Sequence, residues 1–227
     1  MNNINNTMNN PTKPSLETEI IPVLLVIISF TASFYFYSHF PARVPIHWDF
    51  NGKINGYGSA KFAAFFVPFL IFGLYALFLA IPFLDPKKDR YQEFQKPYHG
   101  IKNFLILFMT VIYFITSYNA LGHTLPIGTI IPSMVGLLFV VIGYYMGKLK
   151  LNWMIGVRNP WTLSSEDVWN KTNKLTGKVF IIAGLLFILE SFIPNYFKLS
   201  LFIFIISMII IVPNLYSFII FKKTQKK

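Results

Sequence analysis

The sequence contains no cysteine among its 227 residues. This absence excludes disulfide bonds, thiolate metal sites and thiol catalysis. Charged residues are also scarce, at 13% of the chain, which is about half the share found in ordinary soluble domains. Hydrophobic residues make up 54% of the chain, and 25 residues are Phe. A soluble fold of this size could not bury so much apolar surface, so the composition predicts a membrane protein with one membrane domain.

Six apolar segments approach the roughly 20 residues that a helix needs to cross a bilayer core of about 30 Å. They cover residues 20–39, 62–84, 103–121, 127–147, 179–194 and 199–221. The fifth is the weakest, because it is short and contains Glu190. Glu17 and Glu19 precede the first segment, which is also long for a signal peptide, so we expect a retained anchor. Residues 1–19 begin with an Asn-rich stretch and are expected to form a disordered tail.

Positive charge is distributed unevenly between the segments that connect these spans. Four of the twenty Lys and Arg residues, namely Arg43, Lys53, Lys61 and Lys198, fall on one side, and the other sixteen fall on the opposite side or in the termini. Because Lys and Arg accumulate on the cytoplasmic face, we expect six spans with both termini cytoplasmic. Topology and attraction to anionic lipid headgroups explain the net charge of +11. Direct binding of nucleic acid is not expected, because no soluble domain is long enough.

A polar segment, residues 148–178, interrupts the apolar chain on the predicted cytoplasmic side. Gly156 and Pro160 disfavour helix, so residues 152–163 are predicted to form an ordered loop. Ser164 is a candidate N-cap, and Glu166 and Asp167 would then lie near the positive end of a helix dipole. The apolar spacing that follows predicts an amphipathic helix at the inner interface.

Arg158 lies between Trp153 and Trp161 in this segment. One interpretation is that these side chains are interfacial anchors, since Trp favours the headgroup zone. The other is that Glu166 or Asp167 holds Arg158 and fixes a loop that a partner recognises.

The loop after the first span, residues 41–62, is turn-rich and is predicted to lie outside. His47 and Asp49 flank Trp48 and could point the same way on an extended strand. His39, His123 and Glu190 are predicted near the same face, so a metal site was one alternative and interfacial polar groups the other. The spacing matches no hydrolase motif.

Two motifs carry a family resemblance. PARVPIHWDFNGKINGYGSAK, residues 41–61, looks like the domain of unknown function that precedes SdpI-type domains. NWMIGVRNPWTLSSEDVWNKTNKLTGKVF, residues 152–180, resembles the signature of the SdpI family, with Asn159 and Asn173 standing where Thr and His are expected. The resemblance implies residues 20–100 as an N-terminal membrane domain, with two spans and an outer loop at 40–61. It implies residues 101–227 as an SdpI-type domain, with four spans and an inner loop at 148–178.

The resemblance implies a multi-pass bacterial membrane protein that protects cells against a secreted toxic peptide. It also implies, for some members, a receptor that draws a cytoplasmic repressor to the membrane. Besides the peptide and the repressor, membrane lipids are expected partners, and no cofactor or metal is expected. We expect the outer loop to contact the peptide, through Pro45, His47, Trp48, Asp49, Asn51 and Gly52. The inner motif is a partner-binding or structural element comprising Asn152, Gly156, Arg158, Pro160, Trp161, Thr162, Leu163, Glu166 and Trp169.

Other functional classes fit the sequence less well. A solute or ion transporter is the main alternative, because Glu190 is an intramembrane acid and Asn119 and Asn214 are further polar candidates. An enzyme is not expected, since no nucleophile–base pair or acid dyad stands out. A structural or assembly role without any toxin is a further alternative.

Overall fold

The computed structural model describes residues 11–49 and 51–225. Six helices are long and apolar enough to cross a membrane. They are α1 Leu16–His39, α2 Ala60–Leu84, α3 Gln95–Ala120, α4 Ile127–Met146, α6 Glu166–Glu190 and α7 Asn195–Thr224. A short helix, α5, covers Pro160–Ser164, and a 3-10 turn, Lys88–Phe94, leads into α3. The prediction of an all-α protein with six spans is confirmed; a small antiparallel hairpin of β1 Arg43–Trp48 and β2 Ile54–Ser59 is added to it.

The helix ends gather at two opposite ends of the bundle. One end, called here the hairpin end, holds the strands, the starts of α2, α4 and α7, and the ends of α1, α3 and α6. The other, called the lysine-rich end, holds residues 85–94 and 147–165. The four cations Arg43, Lys53, Lys61 and Lys198 belong to the hairpin end. The remaining Lys and Arg of the described residues lie around the lysine-rich end or in the helix turns that start there.

The first helix begins earlier than expected. Residues 1–10 of the expected tail lie outside the described residues, but Leu16–Glu19 are helical. The Ser15 backbone N–H donates to Thr18 Oγ1 at 2.9 Å, and the Ser15 carbonyl accepts from the N–H of Thr18 at 3.1 Å. These bonds satisfy backbone groups that a helix start leaves open, so the ordered chain extends to the polar residues in front of the apolar segment.

The expected interfacial helix is not a separate element. It forms the first turns of α6, which continues unbroken from Glu166 to Glu190. The N-cap is Ser165 rather than Ser164, because Ser165 Oγ accepts from the N–H of Val168 at 3.4 Å. Val168 and Trp169 are fully buried, so the apolar face packs against protein instead of lying on lipid.

Helices α4 and α6 are held together by glycines that face each other at two levels. Gly136 of α4 contacts Gly184 of α6. Gly143, seven residues later in α4, contacts Gly177, which is seven residues earlier in α6. A Cβ on Gly143 would lie 2.6 Å from the Gly177 carbonyl oxygen. Small residues allow helix backbones to approach closely, as is common between membrane helices. The sequence analysis did not identify this pairing.

The remaining helices build on this pair and on a second group. α7 packs on α6, and α1, α2 and α3 pack on one another, with α3 also contacting α4. A hydrophobic cluster lies between the groups at the lysine-rich end and includes Tyr91, Phe94, Tyr98 and Leu149. The expected domain boundary at residues 100–101 falls inside α3, so the structure marks no break there and the domain division stays a prediction.

Candidate functional site

The predicted outer loop forms a hairpin with an ordered turn. Asp49 follows β1, and its Oδ1 accepts from the backbone N–H groups of Asn51 at 2.8 Å and Lys53 at 2.9 Å. Gly52 has a φ of +75° and packs directly on Gly128 at the start of α4. Asp49 and Gly52, both predicted contact residues, therefore shape the turn and fix it to the helix bundle.

The strand β1 separates two open pockets at the hairpin end. Ile46, His47 and Trp48 line both of them. The first pocket, of about 400 Å³, lies toward α2 and α3 and is also lined by Pro45. The second, of about 480 Å³, lies toward α4, α6 and α7. Five of the six predicted outer residues thus surround pockets or form the turn beside them, while Asn51 is exposed at the turn.

The second pocket, called here the glutamate pocket, brings together residues far apart in sequence. Glu190 from the end of α6 and Lys198 from the first turns of α7 line it, together with Asp49 and Asn55 of the hairpin. Glu190 is only 3% exposed, and its Oε2 has no hydrogen-bond partner among the described residues. His47 Nδ1 lies 2.5 Å from Asn55 Oδ1, so the two side chains of the hairpin are hydrogen-bonded to each other beside the pocket. Lys198, a buried cation, was not predicted as a site residue.

The structure does not support a metal site at this end. His39 stacks on Tyr35 with a centroid distance of 4.2 Å, and His123 stacks on Tyr118 at 4.0 Å. Across residues 11–49 and 51–225, no three His, Cys, Asp or Glu side chains are grouped so that they could hold a metal ion.

At the lysine-rich end, Asn152 organises the loop that follows α4. It is fully buried, and its Oδ1 accepts from the N–H groups of Met154 at 2.9 Å and Ile155 at 2.7 Å. Its Nδ2 donates to the carbonyls of Lys150 at 2.8 Å and Ile155 at 3.0 Å. All the donors and two acceptor positions of the amide are used inside the loop, so Asn152 has a structural role.

The second half of this loop is helical, which corrects the prediction of an irregular segment as far as Leu163. Asn159 caps α5, because its Oδ1 accepts from the N–H of Thr162 at 3.0 Å, and Pro160 occupies the first helical position, where its missing N–H costs nothing. Thr162 is fully buried and donates to the Val157 carbonyl at 2.8 Å. These bonds explain the Asn-Pro-x-Thr order in the motif.

The loop is also joined to α7. Asn159 Nδ2 donates to Asn214 Oδ1 at 3.0 Å and to Ser217 Oγ at 2.8 Å. The half-buried Trp161 packs on Phe218 with ring centroids 5.2 Å apart. The motif therefore connects the middle of the chain to its last helix.

Position 156 can accommodate only a residue without a side chain. Its φ is +118°, and a Cβ would lie 2.9 Å from Asn173 Oδ1 and 3.0 Å from the ring of Trp169. Trp169 is buried and donates from Nε1 to the Leu149 carbonyl at 2.9 Å. Asn173 accepts from the N–H of Val157 at 3.0 Å and donates to the Trp169 carbonyl at 3.0 Å. A neutral amide fulfils both roles, so an ionisable side chain at position 173 is not needed for the loop to form.

The predicted pairing of Arg158 with Glu166 or Asp167 is wrong. Arg158 is exposed and donates from Nη1 to the Trp153 carbonyl at 2.8 Å. Glu166 instead accepts two bonds from Arg90, at 2.7 and 3.0 Å, and Asp167 pairs with Lys171 at 2.7 Å. Arg90 follows α2 in the chain, and nothing in its local sequence marked it as the partner.

Asp85 is a further residue that the sequence analysis missed. It is 2% exposed, and its Oδ2 accepts from the Tyr91 hydroxyl and from the N–H of Trp153, both at 2.9 Å. It therefore ties the segment after α2 to the loop after α4. The only available signal was its place directly after an apolar span and before Pro86.

A buried ionic cluster joins the first three helices at the same end. Glu19 of α1 pairs with Lys102 of α3 and accepts from the Tyr75 hydroxyl of α2 at 3.0 Å. His99 lies 3.7 Å from Glu19 and hydrogen-bonds the Thr12 carbonyl at 2.9 Å. Paired and enclosed by protein, these groups do not face lipid, as polar residues in membrane helices generally do not.

The inner motif thus divides into a buried frame and an exposed group. Asn152, Thr162 and Trp169 form the buried frame, and Gly156, Trp161 and Leu163 are half-buried. Arg158, Pro160, Glu166 and the neighbouring Trp153 reach the surface. A surface of this kind can offer a guanidinium and an indole in fixed positions.

Comparisons with known proteins agree with both motifs. Residues 148–217 match the model of the SdpI/YfhL protein family, and residues 24–72 match a domain of unknown function, DUF1648. The chain is 26% identical over 208 residues to a Bacillus subtilis (strain 168) protein called Immunity protein SdpI, covering 92% of this chain and 98% of that protein. No solved structure gives a match. The resemblance to the SdpI family predicted from the two motifs is confirmed, and with six long apolar helices the chain is a multi-pass membrane protein.

Proposed function

We propose that this chain is an integral membrane immunity protein that protects the cell against a secreted antimicrobial peptide, and that it acts without catalysis. The observation that carries the proposal is the likeness to Immunity protein SdpI, which extends over 92% of the chain and both of its motifs. The hairpin end faces outward in this proposal, because only four of the twenty Lys and Arg residues belong to it.

The hairpin end suits contact with an apolar peptide. Its two pockets have mostly apolar linings, and β1 between them exposes Ile46 and His47. A peptide docked here is held at the surface before it reaches the bilayer interior. Concave apolar sites with a few fixed polar groups are the usual form of ligand sites in proteins.

Survival under toxin challenge tests the proposal. The gene is expressed in sensitive cells, which are then exposed to a panel of secreted membrane-active peptides. We expect increased survival with at least one peptide, and the His47→Ala variant is expected to lower it. A matched control is His123→Ala at the same end, since His123 lines neither pocket. Unchanged killing by every peptide, with the protein present in the membrane, would contradict the proposal.

A second function, capture of a cytoplasmic repressor, is favoured by one feature. The exposed Arg158 and Trp153 lie on a loop that is held by the buried side chains of Asn152, Thr162 and Trp169. We expect Arg158→Ala to abolish co-purification of the regulator while survival persists. Lys171→Ala serves as the control, because Lys171 is an exposed cation on the neighbouring helix that pairs with Asp167. If both variants lose co-purification of the regulator equally, the regulator is held by general electrostatic attraction to the basic surface and not by Arg158.

Transport is less well supported by the geometry. Glu190 is the last residue of α6, Asn119 lies next to the last residue of α3, and Asn214 is bonded to the loop residue Asn159. None of the three polar candidates forms a site in the middle of the bundle, where transporters usually bind their substrates.

A further inference from the structure

The glutamate pocket contains a buried carboxylate that protection alone does not explain. Glu190 is 3% exposed, and its Oε2 finds no hydrogen-bond donor within residues 11–49 and 51–225. Burying a carboxylate oxygen without a partner is unfavourable. Glu190 lines a pocket of about 480 Å³, so its carboxyl group is placed next to a space that a donor from outside the chain can enter.

The charges around the pocket select the kind of donor. Asp49, Glu190, Lys198 and His47 are the ionisable side chains that line it. Lys198 is 9% exposed, and its charge acts on the Glu190 carboxyl although the two side chains are not within ion-pair distance in the described part of the chain. Two acidic side chains and one lysine line the pocket, so hydrogen-bond acceptors are in excess and a ligand that donates hydrogen bonds is favoured. A metal ion is not favoured, because no three ligands are grouped among the described residues.

The apolar residues that line the pocket indicate what kind of molecule carries the charged group. Ile46, Trp48, Ile127, Ile131 and Pro132 line it and are apolar. They suit several methylene groups or small apolar side chains, with one charged group at the end. His47, held by Asn55 through Nδ1, places its imidazole ring on the pocket wall as a further polar group.

We propose that the glutamate pocket binds a primary ammonium group carried by an apolar peptide, either its amino terminus or a lysine side chain. Glu190 accepts the hydrogen bond, and Lys198 limits the affinity by opposing the ligand's charge. The peptide as ligand rests on the proposed immunity function, whereas the preference for a primary ammonium rests on the pocket itself.

The test uses octylammonium as the probe and the full chain in nanodiscs of zwitterionic lipid. The four Trp residues are replaced by 5-fluorotryptophan, and the ¹⁹F resonance of Trp48 is assigned with Trp48→Phe. We expect a saturable shift of this resonance with octylammonium and none with octanol or octanoate, which partition into the bilayer as well. Octyltrimethylammonium has no N–H donor and is expected to bind at least about tenfold more weakly, since a hydrogen bond to a charged group is worth that order.

Two substitutions should act in opposite directions. Glu190→Gln keeps the shape and is expected to weaken octylammonium binding at least about tenfold, while Lys198→Met is expected to retain or strengthen it. Equal shifts with all four probes, or a Glu190→Gln titration equal to that of the native chain, would overturn the proposal. The octyltrimethylammonium comparison decides the matter even if Glu190→Gln fails to fold. Because no toxin is used, a negative result leaves the survival test of immunity independent.

Discussion

Replacing Gly143 by Ala should separate α4 from α6 and destabilise the whole bundle. The added Cβ would lie 2.6 Å from the Gly177 carbonyl oxygen and 2.9 Å from both the backbone nitrogen and Cγ1 of Ile181. Ordinary contact begins at 3.4 Å, so the helices must move apart locally by nearly an ångström. Two of the three atoms are backbone and cannot rotate away. Overpacking typically costs 1–3 kcal/mol, and we expect about 3 kcal/mol here, or roughly a hundredfold in the folded-to-unfolded ratio.

Thermal unfolding of the purified protein in detergent measures this effect. The matched control is Gly73→Ala in α2, where a Cβ would meet nothing within 4 Å. That variant should unfold at or slightly above the native temperature, because Ala favours helix over Gly. Adding Gly177→Ala to Gly143→Ala should cost less than the sum of the single changes, since both force the same separation. Equal unfolding temperatures for Gly143→Ala and Gly73→Ala would refute the close contact.

Three further predictions concern the topology of the chain and the stability of the lysine-rich end. Single cysteines at positions 57 and 158 of this cysteine-free chain should differ in intact cells: a membrane-impermeant maleimide should label position 57 and not 158, and the reverse pattern would invert the topology. Asp85→Ala should cost about 3 kcal/mol, because it leaves buried hydrogen-bond donors without an acceptor, whereas Asp89→Ala, in the adjacent 3-10 turn, should unfold at the native temperature. Gly156→Ala should lower the unfolding temperature through its φ of +118°, and a native temperature would show that the loop can rearrange.

Much of the fold could be predicted because the bilayer restricts what a span can be. A helix that satisfies its own backbone must cross the apolar core, so apolar length located all six spans. The hairpin could not be predicted in detail. Its pairing depends on a turn built by Asp49 and on packing of Gly52 against Gly128, which is 76 positions away in the chain and visible only after folding.

The sequence predicted candidate residues for the site but not how they are arranged. The loop motif named Asn152, Trp169 and Arg158 as a group, yet only the structure separates the buried frame from the exposed guanidinium. Charge alone favoured Glu166 as the partner of Arg158 because the two are close in sequence. Glu166 is paired instead with Arg90, which comes from another loop, and single-sequence spacing carries no information about such a contact. The glycine pairs could have been found, because both helices repeat glycine after seven residues.

The position of α6 bears on how the two ends could communicate. It has 25 residues and no proline, so at 1.5 Å per residue it extends about 37 Å, with Glu190 at one end and Glu166 at the other. Its glycine contacts make it move together with α4, whereas the loop reaches α7 through two hydrogen bonds of Asn159.

Hydrogen bonds between membrane helices contribute about 1 kcal/mol each, which is within the usual range of coupling energies between sites. If peptide binding at the hairpin end alters the loop, we therefore expect the hydrogen bonds from Asn159 to α7 to break while the contact between α4 and α6 stays intact. Asn214→Ala should then change regulator capture without lowering survival under toxin challenge, and equal effects on both would place the connection within the general stability of the fold.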